Sequence, residues 1–235
     1  MANIQVTKRD GQYEDLDLEK MHKVVFYACE NITGVSPSEV EIKSHISFYN
    51  GITSTEIQET LIKSAADLIS EDTPNYQWVA GRLINYHLRK MVYNQFQPLP
   101  IKVIVEKNVE LGFYDAEILV KYTDEEWKQF DTIVKHERDE EMTYAAMEQW
   151  RGKYLVKNRV TGQIFETPQV AYLLIAATLF AEYPKETRMK YVKDYYDAIS
   201  TFAISLPTPV MAGVRTPQRQ FSSCVSVSYT HLTLP

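Results

Sequence analysis

Three helix-capping patterns constrain the fold of this chain more than any other feature of its sequence. Ser36–Glu39, Thr53–Glu56 and Thr123–Glu126 each place a serine or threonine three residues before a glutamate. In this arrangement the two side chains satisfy backbone N–H groups at the start of a helix, and Pro37 stands where a first helical residue is favoured. These patterns predict a mainly α-helical protein.

The first 96 residues predict a β-hairpin followed by four helices. Ile4 and Val6 alternate with polar residues before Arg9-Asp10-Gly11, and Asp-Gly after such a strand favours a tight turn. Asp17 is the predicted N-cap of the first helix, because apolar residues recur at helical spacing after it. The other three helices are predicted to begin near Ser36, Thr53 and Thr73, the third ending near Ser70 and the fourth near Gln95.

A domain boundary is predicted at Gln97–Pro100, because proline fixes the backbone and disfavours helix in the residue before it. The second region is again predicted to be helical after Thr123. Tyr154–Glu166 is the exception, since β-branched and aromatic residues flank Thr161-Gly162 and favour a hairpin. Two further helices are predicted near Gln169–Glu182 and Glu186–Phe202.

The composition limits the classes of partner and compartment. The 235 residues carry 31 acidic and 25 basic side chains, and the net charge of −6 argues against a nucleic-acid partner. The apolar run Val170–Ala181 is too short to span a bilayer, and the N-terminus lacks the apolar core of a secretory signal, so we expect no membrane association and a cytoplasmic location. Two cysteines and five scattered histidines predict no metal site.

The first region contains three motifs rich in charged residues, VTKRDG at 6–11, EDLDLEKM at 14–21 and HLRK at 87–90. Together they resemble the ATP-cone, a regulatory nucleotide-binding domain. Each motif alone is a common solvated turn or helix end, but their order and spacing match the ATP-cone together. A triphosphate needs cationic donors and backbone N–H groups, which a turn and a helix N-terminus provide.

The resemblance implies a set of residues that bind ATP or dATP, with magnesium, as allosteric effectors. Ser54 stands where the family usually has threonine and keeps the hydroxyl, whereas Gln58 replaces a common histidine. The implied residues are Lys8, Arg9, Glu14, Asp15, Leu16, Asp17, Leu18, Glu19, Lys20, Ser54, His87 and Lys90.

The motif SLPTPVMAGVRTPQRQFSSC at 205–224 resembles the start of the catalytic barrel in the large subunit of class I aerobic ribonucleotide reductase of the enterobacterial type. GKYLVKNRVTG and ETRMKYVKDYYDAIS resemble its helical region. The implied fold is a hairpin-capped four-helix ATP-cone (1–96), an all-helical region (97–204) and the truncated start of an α/β ten-stranded barrel (205–225). Residues 226–235 depart from the family and are expected to be a foreign or misread tail.

The same resemblance implies radical-dependent reduction of ribonucleoside diphosphates. Cys224 would supply one of two thiols that are oxidised in each turnover, Thr208 would bind the substrate diphosphate, and Ser223 would lie beside the ribose. The implied partners are a second copy of the chain, a small subunit with a di-iron tyrosyl radical, and thioredoxin or glutaredoxin. Cys29 is predicted to be a core residue, and without its motif Cys224 would be read in the same way.

Two alternatives to this reductase hypothesis remain at this stage. One is a stand-alone module that senses ATP or dATP and signals to a partner. The other is a plain helical interaction protein, which leaves the clustered basic motifs unexplained. Under each of them, and for the reductase fragment itself, we expect no catalytic turnover by this chain.

Overall fold

The computed structural model describes residues 4–9, 11–45 and 47–224. The chain opens with the predicted hairpin, formed by β1 (Gln5–Thr7) and antiparallel β2 (Tyr13–Asp15). Its turn is closed by the Lys8 N–H, which donates to Gln12 O over 2.8 Å, and contains Gly11 at φ +82°, a backbone conformation suited to glycine. Asp10 of the predicted turn lies outside the described residues.

The four predicted helices follow and pack against one another around buried aliphatic side chains such as Val25, Leu61 and Leu83. This arrangement confirms the expected hairpin-capped four-helix unit. The helices are α1 (Leu18–Cys29), α2 (Pro37–His45), α3 (Ser54–Ala66) and α4 (Tyr76–Tyr93).

Two of the predicted caps fix where these helices begin. The Asp17 carboxylate accepts the Lys20 N–H over 3.1 Å at the start of α1. At the start of α3, Thr53 and Glu56 form both halves of a capping box. The third helix was predicted to end near Ser70 and the fourth to begin near Thr73, but α3 ends at Ala66 and α4 begins at Tyr76. The reason is that hydrogen bonds of the Ser70 and Thr73 side chains hold the segment between the helices as a turn.

The hairpin is fastened to the start of α3 by backbone hydrogen bonds. Thr7 N–H donates to Ile52 O over 2.9 Å, and Gly51 N–H donates to Gln5 O over 2.8 Å. Val6, between these two contacts on β1, is buried. The hairpin, the first turn of α1 and the first turn of α3 are therefore held side by side.

The second region is built around α9 (Pro168–Phe180), which carries apolar residues on every side and is almost completely buried. Two helices, α10 (Lys185–Ser200) and α11 (Thr208–Gly213), and a short 3₁₀ helix (His136–Glu141) pack on it. The elements are α5 (Ile101–Glu110), α6 (Glu117–Lys121), α7 (Asp124–Ile133), the 3₁₀ helix (His136–Glu141), α8 (Tyr144–Gln149), a π-helical turn (Trp150–Tyr154), α9 (Pro168–Phe180), α10 (Lys185–Ser200) and α11 (Thr208–Gly213).

α4 belongs to the packing of both regions. One side of it contacts α1 and α3, and the other side contacts α8 and the 3₁₀ helix. Gly81 lies at this second contact, where a Cβ atom would stand 2.1 Å from Met142 O. The core is therefore continuous across α4, and the boundary predicted at Gln97–Pro100 stays a prediction.

Two segments of the second region can be compared with the sequence-based expectations. Residues 154–166 contain the predicted hairpin in a minimal form, with one antiparallel bridge between Lys157 and Ile164. Thr208 was expected in a rigid loop but is the first residue of α11, because Pro207 and Pro209 suit the entry and first turn of a helix. Within 205–224 the structure shows no strand of the predicted barrel, and residues 226–235 lie outside the described part.

Candidate functional site

A cluster of charged side chains joins the hairpin to the first turn of α1. Lys8 Nζ lies 3.0 Å from Glu14 Oε2, and Lys20 Nζ lies 3.9 Å from the same oxygen. Lys20 Nζ is also 3.5 Å from Asp17 Oδ2. The backbone hydrogen bond from Lys20 lowers the pKa of Asp17, so this carboxylate stays ionised. Two lysines thus share two carboxylates at a partly exposed surface.

A cavity of about 400 Å³ opens beside this cluster. Its walls come from the hairpin, the start of α1, the start of α3 and the middle of α4, which the hairpin contacts described above hold together. We call it the cone cavity. Its lining residues are Val6, Glu14, Leu16, Asp17, Lys20, Met21, Lys23, Val24, Tyr27, Ser54, Ile57, Gln58 and Tyr86.

The wall formed by α3 presents polar groups to the cone cavity. Ser54 is the first residue of α3, directly after the capping residue Thr53. Gln58 lies one turn further on, and its buried Oε1 accepts no hydrogen bond from the residues that the structure describes. A buried carbonyl oxygen without a donor is costly, so Gln58 offers an acceptor to a ligand that carries an N–H group.

The wall formed by α4 is tied to the hairpin turn through Arg9. One guanidinium nitrogen of Arg9 donates to Lys90 O over 2.7 Å. Lys90 Nζ in turn lies 5.8 Å from the centre of the Tyr86 ring, which lines the cone cavity. The structure therefore brings Arg9 and Lys90 to the same edge of the cavity as Tyr86.

Some of the residues implied by the sequence lie elsewhere. Leu18 and Glu19 line a different, larger groove between α1 and α2. Asp15 lies on the strand next to the cavity, where its carboxylate accepts from the Gln5 side chain. Their predicted roles in nucleotide binding stay predictions.

His87 faces away from the cone cavity. It lines a separate cavity with Glu59 and Arg151, and its Nε2 lies 3.5 Å from Glu59 Oε1. Burial lowers the pKa of His87 to about 4, so the ring is neutral at physiological pH. The structure does not bring His87 together with Lys8, Lys20 and Ser54.

The residues implied in catalysis lie on the segment after α10. Thr208, Ser223 and Cys224 are all exposed. The second cysteine, Cys29, is buried on α1, as predicted, and burial raises the pKa of its thiol to about 11. Cys224 is therefore the accessible thiol of the pair.

Arg215 anchors this segment, and sequence reasoning missed it. Its guanidinium Nε donates to Glu166 Oε2 over 2.8 Å, and its Nη1 donates to Met211 O over 2.6 Å. The Glu166 carboxylate also accepts from Tyr114 Oη over 2.5 Å and from Val156 N–H over 2.6 Å. The residues that surround Arg215 in the sequence, GVRTP, contain no pattern that predicts an ion pair with a distant glutamate. Only the tertiary structure reveals this pair.

The described ranges contain neither a cluster of metal-binding side chains nor a helix that could span a membrane. No group of three or more histidine, cysteine, aspartate or glutamate side chains is arranged to hold a metal ion there. None of the helices within those ranges combines the length and the apolar character required to cross a bilayer.

The two regions match two different protein families. Residues 4–91 match the family described as "ATP cone domain". Residues 140–219 match the family described as "Ribonucleotide reductase, all-alpha domain". The first match contains every residue of the cone cavity, and the second contains Arg215, Glu166 and Thr208.

Curated relatives extend this similarity over nearly the whole chain. The chain is 56% identical over 225 residues to "Ribonucleoside-diphosphate reductase 1 subunit alpha" of Escherichia coli K12, covering 96% of this chain and 30% of the relative. It is 55% identical to the subunit alpha of Haemophilus influenzae, with the same coverage. For the subunit alpha of enterobacteria phage T4 the identity is 45%, covering 97% of this chain and 30% of the relative. The chain thus spans about 30% of the length of the relatives that it matches.

Proposed function

The chain is a homologue of the alpha subunits of ribonucleoside-diphosphate reductase and carries an ATP cone, and from this premise we propose that the cone cavity binds ATP or dATP as an allosteric effector of ribonucleotide reduction. The observation that carries the proposal is the convergence of Lys20, Ser54 and Gln58 on one cavity beside the Lys8–Glu14 pair. The family match over 140–219 favours a reductase over a stand-alone sensor.

The donors around the cone cavity fit a nucleotide triphosphate. Lys8 and Lys20 already sit on a shared carboxylate, Glu14, and exposed ion pairs of this kind exchange partners at little cost. Phosphate oxygens would replace Glu14 as the acceptors of the two ammonium groups, and Lys90 would donate to the phosphates from the other edge of the cavity. Gln58 Oε1 would accept a hydrogen bond from an amino group of the base. Magnesium would bridge phosphate oxygens, as is usual for nucleotide sites.

Calorimetric titration of the chain with ATP and with dATP, each with magnesium, tests this site. We expect Lys8→Ala and Lys90→Ala each to weaken binding by about 1–3 kcal/mol, the range for a charge-assisted hydrogen bond. Lys63→Ala is the matched control, because Lys63 is exposed near the other end of α3. Unchanged affinity in both test variants would reject the cone cavity as the nucleotide site.

The catalytic roles form a second part of the proposal. Cys224 would give one of the two thiols that form a disulfide while the 2′-carbon of a ribonucleoside diphosphate is reduced, with Thr208 on the diphosphate and Ser223 beside the ribose. The exposure of all three residues supports access to a substrate. The partners that we propose are a second copy of the chain, a small subunit with a di-iron tyrosyl radical, and thioredoxin or glutaredoxin.

A chimera tests the catalytic roles directly. Residues 1–224 of this chain would replace the matching residues of the Escherichia coli subunit alpha, to which they are 56% identical. We expect the chimera to reduce ribonucleoside diphosphates and Cys224→Ser to abolish turnover, while Cys29→Ser leaves it unchanged. Turnover in the Cys224→Ser chimera would remove that thiol from the mechanism.

We also propose that the protein works in the cytoplasm. The observation behind this is the exposed thiol of Cys224, which stays reduced only in a reducing compartment. Fractionation of cells that express the protein would check it, and recovery of the protein outside the cytoplasmic fraction would contradict the proposal.

A further inference from the structure

A second cavity, of about 460 Å³, lies between the π-helical turn and the segment that follows α11. We call it the cationic cavity, because three basic side chains and no aspartate or glutamate are among its described lining residues. Such a distribution gives the cavity a positive potential. The three basic residues are Lys153, Lys157 and Arg159.

The basic groups of this cavity are available for a ligand. Lys153 and Arg159 are exposed and, within the described part of the chain, no carboxylate pairs with either of them. Lys157 Nζ donates to Gly152 O over 2.9 Å and to Arg151 O over 3.4 Å. An ammonium group has three donors, so Lys157 is held in place with one N–H still unused. The nearby Arg151 is not available to a ligand in this way, because its guanidinium pairs with the carboxylates of Glu59 and Glu148.

The walls of the cationic cavity are fixed by buried contacts. On one wall, Arg215 Nη2 donates to Tyr154 O over 2.9 Å. Beneath the other wall, the same guanidinium donates to Met211 O and to the Glu166 carboxylate. The turn that carries Arg159 is closed by Asn158 Oδ1, which accepts from Val160 N–H over 2.9 Å and from Thr161 N–H over 3.2 Å. A ligand would therefore meet a preformed site, which lowers the entropic cost of binding.

We propose that the cationic cavity binds a phosphate group, carried by a free polyphosphate or by a nucleotide. Lysine and arginine side chains are the usual donors to phosphate oxygens, and the aromatic rings of Phe113 and Tyr154 in the lining provide an apolar face for a base. Thr208, Ser223, Cys224 and the residues of the cone cavity do not line it. The site is thus separate from both sites of the proposed function.

Calorimetric titration with inorganic tripolyphosphate tests this site in a chain whose cone cavity is disabled by Lys20→Ala and Lys90→Ala. We expect binding to persist in this background and to weaken about tenfold or more when Lys153→Gln and Arg159→Gln are added, as two charge-assisted contacts are lost. Lys185→Gln with Lys190→Gln removes the same charge from the exposed face of α10 and should change the affinity by less than about twofold.

Comparison of ATP with tripolyphosphate in the same background separates the two sources of phosphate. Equal affinities indicate that the phosphates alone are recognised, and tighter binding of ATP indicates a nucleotide. Absence of tripolyphosphate binding in the cone-deficient chain overturns the proposal, and so does undiminished binding after Lys153→Gln and Arg159→Gln. Both residues are exposed, so the variants should keep the helical spectrum, and the result does not depend on the cone cavity.

Discussion

An ion pair beside the cone cavity and an ion pair in the core of the helical region differ in their exposure to solvent. In the cone, the Lys8 and Glu14 side chains that pair beside the cavity are 42% and 35% exposed. In the helical region, the paired side chains of Arg215 and Glu166 are both 0% exposed. An exposed pair can release its partners to a ligand at little cost, whereas a buried pair must stay intact. Exposure thus separates charges that can bind from charges that hold the fold.

The same contrast recurs in the second buried pair of the helical region. Arg188 Nε donates to Glu126 Oε1 over 2.6 Å, and the guanidinium carbon lies 4.4 Å from the centre of the Tyr122 ring. Glu126 is also the glutamate of the capping box with Thr123. Each oxygen of this carboxylate therefore has a fixed donor, and the pair is buried, so it stabilises the fold.

The largest effect that we predict comes from breaking the buried pair. Glu166→Ala leaves the Arg215 guanidinium buried without its counter-ion and removes the acceptor of Tyr114 Oη. We expect the free energy of unfolding to fall by about 3–5 kcal/mol, measured by urea denaturation. Glu14→Ala, which opens an exposed pair, should cost about 1 kcal/mol or less. Similar losses for both variants would contradict the contrast between the regions.

A double variant sharpens this first prediction. Glu166→Leu combined with Arg215→Met removes both charges and keeps apolar volume, so it should recover most of the stability that Glu166→Ala loses. A double variant as unstable as Glu166→Ala would show that the hydrogen bonds to Tyr114, Val156 and Tyr154, rather than the lost charge balance, account for the effect.

The next largest effect is predicted where the two regions meet. In Gly81→Ala the new Cβ would lie 2.1 Å from Met142 O, so α4 and the segment after the 3₁₀ helix must move apart. We expect a loss of about 1–3 kcal/mol, the usual range for overpacking, measured as a lower urea midpoint. Gly152→Ala is the matched control, because nothing lies within 4 Å of its added Cβ. A Gly81→Ala variant as stable as the control would mean that the regions are not closely packed at α4.

The sequence predicted the parts of this fold that are encoded locally. The hairpin, the Asp17 cap and the Thr53 capping box are set by neighbouring residues, and each was confirmed. The turn at Ser70–Thr73 was missed because side-chain hydrogen bonds end α3 earlier than the apolar spacing suggests. These errors concern boundaries and not the existence of the elements.

The candidate sites were less predictable because they depend on contacts between distant residues. Arg215 and Glu166 are 49 residues apart, so no local pattern could indicate their pairing. Likewise, HLRK carries both His87 and Lys90, but the helix turns His87 toward Glu59 and away from the cone cavity. The family resemblance supplied the site as a set of positions, and only the packing of α3 against α4 shows which of them face the same cavity.

The third prediction concerns Asp139, a buried carboxylate at the contact between the regions. Burial raises the pKa of Asp139 to about 7, opposed by a hydrogen bond from Gln169. The ordinary value in an unfolded chain is about 3.9, so the native state binds the proton more tightly. The stability of the wild type relative to Asp139→Asn should therefore fall as the pH rises from about 4 to about 7 and stay level above that.

Urea denaturation of both proteins at about pH 4.5 and about pH 7.5 checks this, and we expect a relative change of about 2–3 kcal/mol, since each pKa unit corresponds to about 1.4 kcal/mol. The difference between the proteins is needed because burial also lowers the pKa of His136 to about 4. A lowered histidine pKa acts in the opposite direction, raising stability as the pH rises between about 4 and about 6.5. A constant difference between wild type and Asp139→Asn would show that Asp139 is not protonated in the native state.

The smallest effects come from a matched pair of capping boxes, one in each region. Thr53→Ala and Thr123→Ala each remove a side chain that accepts the N–H of a glutamate three residues later, and each should cost about 1 kcal/mol. Thr53 also forms the β-bridge to Thr7 of the hairpin and directly precedes the cavity residue Ser54, and Thr123 has neither of these positions. We therefore expect weaker ATP binding in Thr53→Ala and unchanged binding in Thr123→Ala, measured by calorimetry. Equal binding losses would mean that general stability, and not the local geometry of the cone, sets nucleotide affinity.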